Sequence, residues 1–343
     1  MKSMSLIFML PLVAMFSACG KGESNTGANT APTNLTVNAI VNTDNSGNVS
    51  FTASAKDAAT YEYDFGNGVF QIVPSGVVLY KYPASGTYTV NVIAKSAAGL
   101  TASKSTKVTV AVSLSLVWSD EFNVNGAPDP SKWGYDIGNG SGGWGNAELE
   151  YYTNRPENSI VQGGVLKINA IKENFSGFGY TSARLVSQNK FSFKYGKVEV
   201  SAKLPTGVGT WPAIWMLGNN ITTAGWPACG EIDIMEHLGR DLNKIYGTLH
   251  YPGRSGSTAD GATKLIADAT TSFHKYSLEW SAASIKISVD DQVFHTVANS
   301  SAMPFNLDFF FILNVAMGGN FAGAMDPAVT NATMEVDYVR VYK

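Results

Sequence analysis

The 343-residue chain is poor in several things, and each shortage narrows its function. Two cysteines exclude a disulfide framework and a multi-cysteine zinc site. Charged residues make up 15%, against about 25% in an average soluble domain. At a net charge of −3 and with no long basic run, nucleic acid is excluded as a partner, because phosphate binding needs clustered positive charge. The N-terminal apolar run, residues 6–16, is too short to cross a bilayer core, which takes about 20 residues. No segment combines a sustained 3.6-residue period with capped ends, so little helix is expected. What is present is 45% hydrophobic residues and 34 glycines, enough for a sizeable core and for many turns. The length predicts two domains, or one plus appendages.

The N-terminus carries Lys2, the apolar run, and then Ser17 and Ala18 directly before Cys19. A basic start, a short apolar stretch and small residues are the parts of an export signal. The arrangement resembles a bacterial lipoprotein signal over 1–18. That implies a lipidated Cys19, attachment to the cell envelope, and membrane contact only through the lipid anchor. Residues 19–32 lack large apolar side chains and read as a flexible tether. From 33 to 112 short alternating strands follow, such as Tyr88, Val90 and Val92 between Thr87, Thr89 and Asn91. Period-2 alternation gives strands with one buried face, here a β-sandwich. Tyr63-Asp64-Phe65-Gly66-Asn67-Gly68, Tyr82 and Gly86-Thr87-Tyr88-Thr89-Val90 resemble the PKD domain, an immunoglobulin-like module. This first domain contains no tryptophan, which favours a spacer role over sugar binding.

All seven tryptophans and all four histidines lie in the remainder, 113–343, so the chemistry is expected there. Its many short strands, in one unit of this size, predict two large antiparallel sheets forming a β-jelly roll, and an all-β chain overall.

The densest chemical signal is Glu231-Ile232-Asp233-Ile234-Met235-Glu236. Glu231 and Asp233 alternate with isoleucines, as on a half-buried strand. An odd offset of five would turn Glu236 to the opposite face. One extra residue near Ile234-Met235, a β-bulge, restores it. Two glutamates on one bulged strand approach the separation of a retaining glycosidase pair. Three crowded acids cannot all ionise, so a proton is shared among them, and a protonated Asp233 would position Glu231. A solvated acidic strand face is the alternative. The nearby Trp211, Trp215 and Trp226, among Gly and Pro, favour a cleft whose aromatic faces suit sugar rings.

Six motifs then occur in order: Gly143-Trp144-Gly145-Asn146-Ala147-Glu148-Leu149, Ser182-Ala183-Arg184-Leu185, Gly209-Thr210-Trp211-Pro212-Ala213-Ile214-Trp215-Met216-Leu217, Trp226-Pro227-Ala228-Cys229-Gly230-Glu231 through His237, His250-Tyr251, and Leu313-Asn314-Val315-Ala316-Met317-Gly318-Gly319. Together they resemble glycoside hydrolase family 16, and within it the laminarinases. The resemblance implies Glu231 as nucleophile, Glu236 as acid/base and Asp233 as the nucleophile's partner. It implies substrate contacts from Asn146, Arg184, Trp211, Trp215, Trp226 and His250. It implies no cofactor for catalysis, but a structural calcium held by Glu121, the Gly164 carbonyl and Asp337. Laminarinases usually carry Gln where Glu150 stands, so a charge is expected near the cleft.

The function implied is retaining endo-hydrolysis of β-1,3-glucan by an exported monomer, with a β-glucan polysaccharide as partner. The competing readings are the same fold acting on β-1,3-1,4-glucan or an algal galactan, and a non-catalytic sugar-binding homologue. Intact Glu231 and Glu236 argue against the last.

Overall fold

Alternation of apolar and polar residues dictates strands almost everywhere, and the computed structural model, which describes residues 30–343, is built of them. The segment expected to be an export signal, Cys19 and the expected tether up to residue 29 lie outside the described residues. Among those described, the two α-helices, Ile221–Ala224 and Gly319–Ala322, are single turns. The chain divides into two compact units, with the boundary between Val110 and Ala111.

The first unit is a sandwich. One sheet holds Thr33–Val41, Asn48–Lys56 and Val77–Lys81, and the other Phe70–Val73, Thr60–Asp64, Gly86–Lys95 and Thr101–Val110. Phe51, Tyr63, Phe65 and Tyr82 are wholly buried between them. The two tyrosine hydroxyls are not left unpaired, which in a core would cost about 1–3 kcal/mol each. Tyr63 donates to the Gly76 carbonyl at 2.6 Å and Tyr82 to the Phe65 carbonyl at 3.0 Å.

The second unit is a two-sheet jelly roll. Its smaller sheet runs, edge to edge, Asp260–Leu265, Lys244–His250, Glu231–His237, Thr210–Gly218, Phe309–Met317, Arg184–Val186 and Gly134–Tyr135. One face of this sheet supplies Ile214, Met216, Ile232, Leu249 and Leu313 to a core shared with Leu166, Val198, Leu278 and Val336 of the larger, ten-stranded sheet. Ile232 is fully buried, and truncating such a side chain to alanine costs about 2–5 kcal/mol. That is a large part of a domain's roughly 5–15 kcal/mol stability, so the strand that carries the acids is firmly fixed.

Side chains alternate along each strand, so the opposite face presents the residues between those core residues. Three rows cross it. Glu231 pairs with Leu217 on one side and His250 on the other. Asp233 pairs with Trp215 and Thr248, and Glu236 with Ala213 and Tyr246. Ala213 in turn pairs with Asn314, and Asn314 with Arg184.

Candidate active site

The bulge that the odd spacing demanded is present. Between Trp215 and Ile214 the register skips Ile234, and on the other side Asp233 to Glu236 spans only Thr248 to Tyr246. Ile234 and Met235 both enter the core, which returns Glu236 to the face of Glu231 and Asp233.

Each acid has distinct partners. The Trp226 indole N–H donates to Glu231 Oε2 at 2.9 Å. Glu236 receives the Trp211 indole N–H on Oε1 at 3.1 Å and the Thr248 hydroxyl on Oε2 at 3.0 Å. Asp233 is 3% exposed, and its Oδ2 has no hydrogen-bond donor. His250 Nε2 stands 3.3 Å from it and 3.7 Å from Glu231 Oε1. The Gly256 N–H donates to His250 Nδ1 at 3.2 Å. An imidazole nitrogen that accepts carries no proton, so the Nε2 edge carries it and faces the two carboxyls.

Electrostatics follow from this crowding. Burial, then the Asp233 charge, pushes Glu231 well above the usual carboxylate range, while His250 pulls the other way. Burial and the Glu236 charge raise Asp233 strongly. Glu236 is also raised by burial, opposed by its hydrogen bonds from Thr248 and Trp211. Asp233, whose Oδ2 has no donor, lies within hydrogen-bond reach of Glu231, so the two share a proton. The arrangement provides a carboxylate, a separate proton-donating carboxyl and an indole-lined surface, with Trp226 49% exposed.

Further along the same face, Arg184 lies between two indoles. Its guanidinium carbon is 4.3 Å from the Trp144 ring centre and 4.8 Å from that of Trp215, and its Nε donates to Asp136 at 2.9 Å. The Trp215 N–H donates to Asn314 Oδ1 at 2.8 Å. Asn146 Nδ2 reaches Glu148 Oε1 at 3.3 Å. The loop carrying Asn146 turns on Gly143, at φ +63°, where a Cβ would stand 2.3 Å from the Glu148 nitrogen; only glycine fits there.

The structure thus gathers Trp211, Trp226 and His250 around the acids, and groups Arg184 with Trp215. Sequence reasoning missed Trp144, Thr248, Asn314 and Gly256 as members of the site. Trp144 and Asn314 lie inside motifs already singled out, and Thr248 alternates in phase with His250. Gly256 has no sequence signal. Cys229, next to the acids in sequence, is buried, and its thiol is pushed up to about 11, chiefly by burial. It is an inert packing group.

The three positions implied for calcium lie on the larger sheet. One edge of the Asn331–Tyr342 strand is paired with Val165–Phe175 up to Val336 and with Leu116–Asp120 from Val339 onward. Asp337 and Tyr338 face the gap between those strands, and Gly164 and Glu121 flank it. Unpaired main-chain carbonyls beside an acidic residue are the oxygen types a hard cation takes. The Glu121 side chain does not fit such a cation. Both its oxygens take the Arg340 guanidinium, at 3.0 and 2.7 Å, and this pairing holds Glu121 below the usual carboxylate range. Only the main chain of Glu121 is left to ligate.

Comparison with known proteins gives the family of the second unit and the fold of the first. The profile of the family described as Glycosyl hydrolases family 16 matches residues 146–340, and that of the PKD domain matches residues 33–110. A Beta-glucanase of Rhodothermus marinus is 46% identical over 245 residues, covering 66% of this chain and 85% of that one. A Glucan endo-1,3-beta-glucosidase of Cryptopygus antarcticus is 39% identical over 251 residues, covering 66% of this chain and 90% of that one. The X-ray structure of the laminarinase from Rhodothermus marinus superposes with a TM-score of 0.65 at 45% identity, covering 67% of this chain and 98% of that chain.

Proposed function

The chain belongs to glycoside hydrolase family 16, and from that premise we propose that it is a retaining endo-hydrolase of β-1,3-glucan. The observation that carries this reading is the bulged strand, which presents Glu231, Asp233 and Glu236 on one face with different partners. Glu231, as a carboxylate, attacks the anomeric carbon while Glu236 gives its proton to the departing glycosidic oxygen. The glycosyl–Glu231 ester forms as the glycosidic bond breaks. Glu236, now ionised, takes a proton from water, the water displaces Glu231, and the site is restored. Asp233 holds Glu231 in place with its own proton, and the Trp226 N–H fixes the second oxygen of Glu231. Trp211, Trp215, Trp226, Arg184, Asn146 and His250 are the proposed sugar contacts.

Proton NMR of a fresh laminarin digest tests the mechanism. The β-anomer should appear first at the new reducing ends; an α-anomer appearing first would mean inversion and overturn the assignment. Products from mixed-linkage glucan measured alongside separate the β-1,3 reading from the β-1,3-1,4 one.

Three further proposals concern the rest of the chain. Cys19 is lipidated and anchors the exported protein to the envelope, which labelling with a fatty acid would reveal and Cys19→Ala would abolish. The PKD domain is a spacer, so residues 113–343 alone should hydrolyse soluble laminarin. A calcium ion sits at the Asp337 gap and contributes stability rather than chemistry.

A further inference from the structure

Glu150, expected as an added charge near the cleft, is wholly buried. Its Oε2 accepts the Met317 N–H at 2.7 Å, and its Oε1 has no donor at all. Two side chains lie within hydrogen-bond reach of it, the Tyr152 hydroxyl and another buried acid, Glu148. The two acids are not equivalent. Glu148 Oε1 receives the Asn146 amide at 3.3 Å and Oε2 the Tyr152 hydroxyl at 3.0 Å. Donors on both oxygens stabilise an anion. A wholly buried carboxyl with one oxygen unserved, beside an anion, is stabilised as the neutral acid.

The other groups around the pair supply no neutralising charge. Tyr152 already donates to Glu148. Tyr180 stands opposite Glu150 on the parallel neighbouring strand. The Phe309–Met317 strand contributes no titratable residue. Arg184, beyond Tyr152, is bound to Asp136 and enclosed by Trp144 and Trp215.

We propose that Glu150 is a positioning residue, present as a carboxylic acid whose O–H donates to the Glu148 carboxylate, and that this pair holds two parts of the sugar-binding wall. The first part is Asn146, bonded directly to Glu148. The second is reached through a chain of hydrogen bonds. Tyr152 joins Glu148 to Asn314, whose Nδ2 donates to the tyrosine oxygen at 3.0 Å, and Asn314 Oδ1 accepts the Trp215 indole. Burial and the Glu148 charge, which raise Glu150 well above the ordinary carboxylate range, are in keeping with this. The consequence for binding rests on the cleft reading above; the protonation state does not.

The test has two arms. Infrared difference spectra of wild type minus Glu150→Gln at neutral pH need no substrate. They should contain the carbonyl stretch of a protonated carboxylic acid, and a carboxylate stretch in its place overturns the proposal. In the second arm, Glu150→Leu removes the donor and should raise KM for laminarin about five- to tenfold, with a smaller change in kcat. Glu150→Gln keeps a donor on the same atom and should rescue KM. A Glu150→Leu enzyme with wild-type KM, or a Glu150→Gln enzyme as impaired as Glu150→Leu, also overturns it. If Glu150→Leu does not fold, the infrared arm decides. A wild type inactive on laminarin would refute the proposed function and leave the infrared result standing.

Discussion

His250→Ala removes the one N–H that faces both Asp233 and Glu231, at 3.3 and 3.7 Å. Asp233 Oδ2 has no hydrogen-bond donor to take its place. The N–H acts on Glu231 through its electrostatics rather than a hydrogen bond; a change on the order of one pKa unit is about 1.4 kcal/mol, so kcat/KM should fall about tenfold. The loss should also depend on pH, and the sign follows from the surroundings of Glu231. Burial, Asp233 and Glu236 push this carboxyl up, and His250 opposes them. Without His250 it rises further, and because Glu231 attacks as a carboxylate, the acid limb of the kcat/KM profile should move to higher pH. A His250 that only touched sugar would raise KM equally at every pH. The assay is the pH profile of kcat/KM on laminarin, with circular dichroism to confirm folding. An acid limb that overlays the wild-type limb refutes the reasoning.

Glu231→Gln should cost several orders of magnitude in rate, because an amide cannot form the glycosyl ester; near-native turnover of laminarin would refute its role. Glu236→Gln should be least damaged on aryl glycosides with activated leaving groups, which need little protonation; equal damage on all leaving groups would exclude it as the acid. Asp233 is raised above its ordinary 3.8 in the folded state, so its contribution to stability is present below that value and is lost as pH rises through the folded pKa. Asp233→Asn should therefore melt higher than wild type by a margin that grows from pH 5 to pH 8, and a margin independent of pH would contradict this. Calcium should raise the melting temperature of wild type and of Glu121→Ala but not of Asp337→Ala; a full shift in Asp337→Ala would place the ion elsewhere.

The sequence made the strands legible because alternation is a local signal, and it made the bulge legible because two acids at an odd spacing cannot share a face without one. Trp211, Trp226 and His250 were readable as cleft residues, but not the atoms they hold. The indole of Trp226 reaches a carboxylate five residues away, whereas that of Trp215 bonds Asn314, 99 positions on. Nothing local encodes such a pairing; it is set when Thr210–Gly218 and Phe309–Met317 come into register. The same limit explains Glu150. From sequence it is a charged residue on a strand, and only the closed jelly roll shows that it is wholly buried and lies beside another buried acid. Gly256 fixes the His250 tautomer through a main-chain N–H, a group every residue but proline possesses, so its role has no side-chain signature.

The two acid clusters solve one problem in the same way. Glu148 and Glu150, with Asp233 and Glu236, are buried carboxyls, and Glu231 is nearly so. Counter-ions are scarce in a chain with 15% charged residues, and the guanidinium closest to the Glu148 cluster, Arg184, is already paired with Asp136. Neutralisation falls to protons: in each cluster a carboxyl with one oxygen unserved shares a proton with the neighbouring carboxylate. For the catalytic trio a proton is also the better neutraliser. A lysine at Asp233 would hold Glu231 ionised, but its fixed positive charge would favour an ionised Glu236 as well and weaken it as an acid. A shared proton lets Glu236 alternate between acid and base while Glu231 is first bonded to sugar and then released.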